Sequence, residues 1–318
     1  MVTGPSALDV LDSQLTADDS ASYTKGLAAL EQSLDSYWKF EVVPNQFKQS
    51  LAATDDLRFQ YLDEHFGVIG SWDEVVDNLK TLNANAGANE RYKILFLARH
   101  GQGYHNLAHA KYGNSAWNEY WLKKNGDGTI VWGPDPLLTD LGISQAQENR
   151  AQWKIEVLNN TARDPSLIVP KKWFVSPLSR SIDTLINTWD GVVDLQEVQP
   201  LIQENVRETI GVHTCDKRSP RSVIAQKYEK LGFRIEPGFE ENDIYYKDDY
   251  RETVAEHALR INRNLQEIFT TTPEDIVSIT SHSGSIRAQL LVLGHRSFAV
   301  GTGGMVPVFV KATKVGNA

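Results

Sequence analysis

The eight residues Phe96-Leu97-Ala98-Arg99-His100-Gly101-Gln102-Gly103 put an arginine beside a histidine at the end of an apolar run, and the reading of the whole chain turns on them. The run before them, Lys93-Ile94-Leu95-Phe96-Leu97-Ala98, holds no turn former and is too short for an independent helix, which predicts a buried strand. Gly101 stops the strand and lets the backbone turn, and Gly103 opens a segment, Tyr104 to Tyr112, predicted to be helical. A strand, a glycine loop and a helix start leave N–H groups unpaired at the strand's C-terminal end, a place suited to an anionic oxygen. Arg99 adds a permanent cation that can bond two phosphate oxygens at once. His100 adds an imidazole that is nucleophilic near neutral pH, since histidine's reference pKa is roughly 6.5. Alone, Arg-His-Gly can also be an accidental tripeptide at a turn, so the reading depends on what other segments bring to it.

Later segments repeat the arrangement. Trp173 to Val175 is a short apolar run followed by Ser176-Pro177-Leu178-Ser179-Arg180-Ser181, a turn into a helix with Arg180 in its first turns. A second arginine at one phosphate would neutralise charge building on its equatorial oxygens. Ile276 to Thr280 leads into Ser281-His282-Ser283-Gly284, which sets His282 at another strand end, positioned to donate a hydrogen bond to a transferring phosphoryl group. Between them lies Glu204-Asn205-Val206-Arg207-Glu208-Thr209-Ile210-Gly211-Val212-His213. Expelling an alkoxide is slow unless an acid protonates it, and Glu208 is the candidate acid, with Glu204 as the alternative.

Taken in order, Arg-His-Gly, Ser-x-Leu-x-Arg, Arg-Glu-x-x-Gly and Ser-His-Ser-Gly resemble the histidine phosphatase superfamily, also called phosphoglycerate mutase-like, over about Lys93 to Thr313. Cys215-Asp216-Lys217-Arg218 is similar to phosphoglycerate mutase-like proteins of fungi and plants. The resemblance implies a three-layer α/β/α sandwich with a mostly parallel central sheet. It also implies a phosphohistidine on His100, a phosphate pocket of Arg99, Arg180 and His282, and further substrate contacts from Gln102 and Asn106. Family members commonly place four steps between the glutamate and the following glycine, whereas Glu208 and Gly211 are three apart. The implied reaction is metal-independent hydrolysis of small phosphomonoesters without a cofactor, two arginines and His282 balancing the phosphate charge.

Composition sets bounds on this. With 318 residues, 41% hydrophobic and 23% charged, the chain is that of a globular protein with a large core. The net charge of −9 disfavours nucleic acid and anionic membranes as partners, so a phosphate site must be a local basic pocket. Apolar stretches stay below the roughly 18 residues of a membrane span. Met1 to Ser6 lacks a secretory start, and the single Cys215 permits no internal disulfide. Both favour the cytoplasm.

Along the chain, residues 1–20 are polar and acidic and are expected to be a loosely held lead-in, with a single domain over 21–318. Trp38, Phe40 and Phe47 should dock on the body. Ser71-Trp72-Asp73-Glu74 reads as a capping box opening a helix toward Leu82, and Thr139 to Gly142 opens another through about Leu158. Val306 to Val310 is a last strand, expected at an edge, and the whole alternation gives α/β with a largely parallel sheet. Segments 107–135 and 212–260 read as lid or insert. The tryptophans among them, Trp117, Trp121 and Trp132, read as packing, and the cluster His213, Lys217, Arg218 and Arg221 as a second anion contact.

Three rivals remain open at this level. A phosphomutase needs the same pocket plus a clamp for a retained phosphorylated product. A metal site could use His100, His105 and His109, the latter two one helical turn apart. A non-catalytic phosphate-binding module would keep the pocket alone.

Overall fold

The computed structural model describes residues 4–159 and 167–316. Its strands are β1 (Ser36–Val42), β2 (Glu90–Arg99), β3 (Lys172–Val175), β4 (Leu201–Ile202), β5 (Arg234–Ile235), β6 (Ile276–Ser281) and β7 (Met305–Gly316). Its helices are α1 (Ala7–Ser13), α2 (Ala17–Gln32), α3 (Trp72–Asn85), α4 (Tyr104–Glu119), α5 (Asp140–Asn159), α6 (Ser179–Trp189), α7 (Leu195–Val198), α8 (Arg221–Tyr228), α9 (Val254–Thr271) and α10 (Ser283–Val292). The strands form one sheet in the order β1-β7-β2-β6-β3-β4-β5. From β2 through β6, β3 and β4 to β5 every pairing is parallel, while β7 is antiparallel to both its neighbours, β1 and β2.

β2 is buried without interruption from Tyr92 to Leu97, which is why its sequence does not alternate: both of its faces are covered. On one face Phe96 lies between Trp72 of α3 and Trp153 of α5, with ring centroids 5.8 and 5.0 Å away, and Trp153 meets Trp189 of α6 at 4.7 Å. Lys93, an odd number of residues away and so on the other face, reaches the Phe269 ring of α9 at 5.7 Å. Phe269 packs in turn on Trp38 and Phe40 of β1, and α9 rests against α2 and α10. Helices therefore cover both faces of the sheet, giving the three-layer sandwich.

Parallel pairing brings the C-terminal ends of β2, β6 and β3 to one edge. Ala98 and Val175 both lie opposite Thr280, and the amides of His100 and Ser176 donate to the carbonyls of Ser281 and Thr280, each at 3.0 Å. The loops carrying Arg99-His100, Ser176 to Arg180, and His282 are neighbours for that reason.

Two expectations are corrected. The lead-in is not structureless where it is described: α1 and α2 occupy it, each opened by a capping box, Ser6 with Asp9 and Thr16 with Asp19. Two of the aspartates in this acidic stretch, Asp9 and Asp19, complete those capping boxes; residues 1–3 lie outside the described residues. Nor is β7 at an edge, because β1 pairs along its outer side through seven residues. Residues of 107–135 and 212–260 meet in a small second apolar cluster of Ala108, Trp117, Leu122, Trp132 and Cys215, so the tryptophans there do pack.

Truncating Phe96 to alanine removes the ring held between two indoles at the sheet centre. It should lower unfolding free energy by about 3–5 kcal/mol in a denaturant titration. Leu158→Ala, at a side chain 75% exposed, should stay within about 0.5 kcal/mol of the parent. Equal stability of the two variants would contradict this packing.

Candidate active site

His100 is buried, and its Nδ1 lies 2.7 Å from the carbonyl oxygen of Gly101. A carbonyl can only accept, so Nδ1 carries the proton and Nε2 holds the lone pair. The Nε–H of Arg180 donates to that lone pair at 3.3 Å. Burial, reinforced by the nearby guanidinium charges of Arg180 and Arg99, holds the His100 pKa well below 6.5, so the ring is neutral at pH 7.

The expectation of unpaired loop amides is not met. The N–H of Gly101 donates to Thr184 Oγ1 (2.9 Å), that of Gln102 to Gln145 Oε1 (2.8 Å), and that of Gly103 to Asn106 Oδ1 (2.9 Å). Tyr104 donates to the Leu137 carbonyl. These bonds fix the loop against α5 and α6, and an anion here must be met by side chains. Gly101 is required by contact: a Cβ there would overlap the carbonyl oxygen of Gly142 at the start of α5.

Arg180 has no exposed surface. Its NH1 donates to the Cys215 carbonyl (2.7 Å) and its NH2 to Asp216 Oδ1 (2.9 Å), while Arg251 donates to Asp216 Oδ2 (2.8 Å). Burial alone would raise the Asp216 carboxyl, but Arg251 and Arg180 outweigh it and bring its pKa to about 2. Removing one member of such a buried pair typically costs about 3–5 kcal/mol. Arg99 donates through NH1 to Asp9 Oδ1 and to the Val300 carbonyl, both at 2.6 Å, and its buried Nε has no partner.

His282 packs edge-on against His100, ring centroids 5.0 Å apart. Its Nε2 is engaged by the hydroxyls of Ser176 (2.7 Å) and Ser181 (3.2 Å), and its Nδ1 is buried without a partner. Glu208 accepts from the Thr209 amide through Oε1 (2.8 Å) and from the Gly284 amide through Oε2 (3.2 Å). A Cβ at Gly284 would overlap Glu208 Oε1, so the glycine of the Ser-His-Ser-Gly segment makes room for the glutamate. Glu204 is elsewhere: it accepts from Arg207 NH1 (2.7 Å) and Arg218 Nε (2.9 Å) in a buried ion network and does not line the cleft.

Arg99, His100, Gln102, Asn106, Arg180 and Glu208 line one cleft of about 650 Å³, with His282 behind its wall. The expected basic cluster is dispersed. Arg218 is buried on Glu204, Lys217 lies over the Tyr246 ring, and Arg221 opens α8; of the four, His213 alone lines the cleft. The cations that line it beside Arg99 and Arg180 are Arg251 and Arg287, and the carboxylates missed in the sequence are Asp216, Asp9 and Asp12. Asp216 stands within the quoted Cys-Asp-Lys-Arg segment, but the others carry no local motif.

The histidine-based metal reading loses its geometry, since His109 stacks on Trp117 and pairs with Asn114. His213, Cys215 and Asp216 bring three donor atoms within 4.8 Å of one another. They are a poor cation site, because Asp216 is claimed by two arginines and burial pushes the Cys215 thiol well up, keeping its proton.

A strand-end histidine flanked by buried arginines on a parallel sheet edge is an arrangement suited to phosphoryl transfer. Residues 95–299 match the histidine phosphatase superfamily (branch 1), and the chain belongs to that superfamily. A probable phosphoglycerate mutase of Arthroderma benhamiae is 38% identical over 291 residues, covering 86% of this chain and 84% of that protein. Phosphomutase-like protein 3 of Candida albicans is 37% identical over 242 residues, covering 76% and 69%. A solved mycobacterial glucosyl-3-phosphoglycerate phosphatase aligns at 17% identity with a TM-score of 0.41, covering 69% of this chain and 91% of that one. No helix among the described residues is long and apolar enough to cross a membrane.

His100, His105, His257 and His282 are all held well below 6.5 by burial first and nearby arginines next. Unfolded, each binds a proton as pH falls through roughly 6.5; folded, each stays neutral. The unfolded state therefore binds more protons, and the stability these groups contribute is complete above that pH and declines below it. Tm should fall between pH 7.5 and 5.5, and a flat profile would contradict four neutral buried rings.

Proposed function

We propose that the chain is a phosphoric monoester hydrolase that works through a phosphohistidine on His100, without a metal or cofactor. The observation that carries this is the Gly101 carbonyl on His100 Nδ1, which leaves Nε2 as the nucleophile beside Arg180. In the first step Nε2 attacks phosphorus, the bond to the leaving oxygen breaks, and Glu208 gives that oxygen its proton. In the second, water attacks the phosphohistidine, Glu208 takes the water's proton, and inorganic phosphate leaves with His100 neutral again. Arg99 and Arg180 carry the phosphate charge, Gln102 and Asn106 border it, and His282, behind the wall with Nε2 accepting from Ser176, has its unpartnered Nδ1 as the donor for a phosphoryl group that reaches past the wall onto His100.

The cleft's size suits a small phosphorylated metabolite. We place the enzyme in the cytoplasm, on the single buried Cys215 and the apolar pattern. A phosphomutase is the second reading, favoured by the names of the fungal relatives. Against it, Arg251, one of the two additional arginines of the cleft, is already held by the Thr209 and Gly211 carbonyls and Asp216, which leaves Arg287 to clamp a retained product.

The test is phosphate release from a panel of phosphomonoesters in excess chelator. Release should persist in the wild-type chain and vanish in His100→Ala; transfer between positions of one substrate without release would establish the mutase instead. Glu208→Gln should lose about 10²–10⁴-fold in kcat on alkyl phosphates and far less on p-nitrophenyl phosphate, whose leaving group needs no proton. Equal losses on both would remove Glu208 as the acid.

A further inference from the structure

α1 lies outside the residues that match the superfamily and contributes Leu8, Asp9, Leu11 and Asp12 to the wall of the cleft, with its N-cap Ser6 beside them. Its attachment is polar. Asp9 is ion-paired to Arg99 at 2.6 Å, and the Asp12 carbonyl accepts from Arg287 of α10 at 2.8 Å. Apolar burial contributes little: Ser13 is the one fully buried residue of the helix, and Leu11 is 65% exposed. A seven-residue helix held this way has few apolar contacts to lose, so its release turns on whether another anion replaces the Asp9 carboxylate on the buried Arg99.

The charge pattern gives the detachment a trigger. Asp9, Asp12 and Glu208 bring three carboxylates to the wall of a single cleft. Partial withdrawal from water and the charges of Asp9 and Glu208 push the Asp12 carboxyl up against the pull of Arg99 and Arg287, although the residue stays exposed at the cleft. For Asp9 burial acts upward too, but the ion pair and hydrogen bond to Arg99 prevail and keep it ionised. A dianion brought to Arg99 meets a carboxylate already bonded there and two more nearby.

We propose that α1 is an internal competitor for phosphate: the Asp9 carboxylate occupies Arg99 in the ligand-free chain, and an incoming phosphate displaces it and lifts the helix from the cleft. This rests on Arg99 being a phosphate ligand, as in the proposed function. The helix then filters substrates, since a ligand must offer Arg99 more than one carboxylate does, and release of product lets the helix return.

The experiment is calorimetric titration of the full chain and its Asp9→Asn variant with inorganic phosphate, the variant keeping shape and losing charge. Phosphate should bind about tenfold more tightly to Asp9→Asn, the low end of what a charge-assisted bond contributes. Unchanged or weaker binding, with His100-dependent hydrolysis intact, would make Asp9 a support for Arg99 and overturn the inference alone. Phosphate binding to neither protein would overturn it together with the proposed function. Amide exchange on the wild-type chain gives a reading free of mutation: protection over residues 7–13 should fall when phosphate saturates the protein, and a rise would overturn the inference.

Discussion

A guanidinium with no exposed surface exists only where its counter-charge is built in, and the site depends on that requirement at Arg180. Asp216 and the Cys215 carbonyl hold two of its nitrogens, which leaves Nε to face His100. Burial first, and the same positive charge after it, keep His100 neutral, so the buried ion pair sets where the Arg180 guanidinium points and adds to what leaves His100 its lone pair. Asp216 can do this because it is fixed from a second side by Arg251. The segment that carries it, a single 3-10 turn over Thr214–Asp216, is thereby as much part of the site as the strand ends.

What the sequence revealed divides along physical lines. Strand ends followed by small-residue loops are local patterns, and β2, β3 and β6 with Arg99, His100, Arg180 and His282 were legible from them. Glu208 over Glu204 was a matter of which carboxylate had an ion partner, and Arg218, the partner that removes Glu204, is fourteen residues away and unmarked by any spacing. Asp9, Arg251 and Arg287 reach the cleft from three separate helices or loops, so no contiguous stretch announces them. β4 and β5, with two residues each, are too short to show a period. β1 was readable and overlooked: Trp38, Phe40 and Val42 alternate with Lys39 and Glu41, the period of a half-covered strand. The N-terminal aspartates carry a signal too, since Ser6 with Asp9 and Thr16 with Asp19 have capping-box spacing within a stretch whose overall acidity points the other way.

Glycine acts at this site through proximity more than through backbone freedom. Gly101 and Gly142 let the nucleophile loop and α5 touch backbone to backbone, and Gly284 admits the Glu208 carboxylate beside the start of α10. Three elements are brought closer than side chains would permit, and the amides of the loop are consumed in holding them. The consequence is a loop that is rigid because it is satisfied, with anion recognition transferred to arginine side chains.

The small aromatic cluster under the lid bears on how molecules enter. Cys215 belongs to that cluster with Trp117 and Trp132, and the carbonyl of the same residue holds Arg180, while Thr214 bonds back to the Lys124 carbonyl. Swinging the lid outward would draw the Cys215 peptide away from Arg180 and disarm the site in the act of opening it. That side of the cleft is a wall and not a door. Release of α1, fastened by charge and little else, would break none of the bonds that hold Arg180.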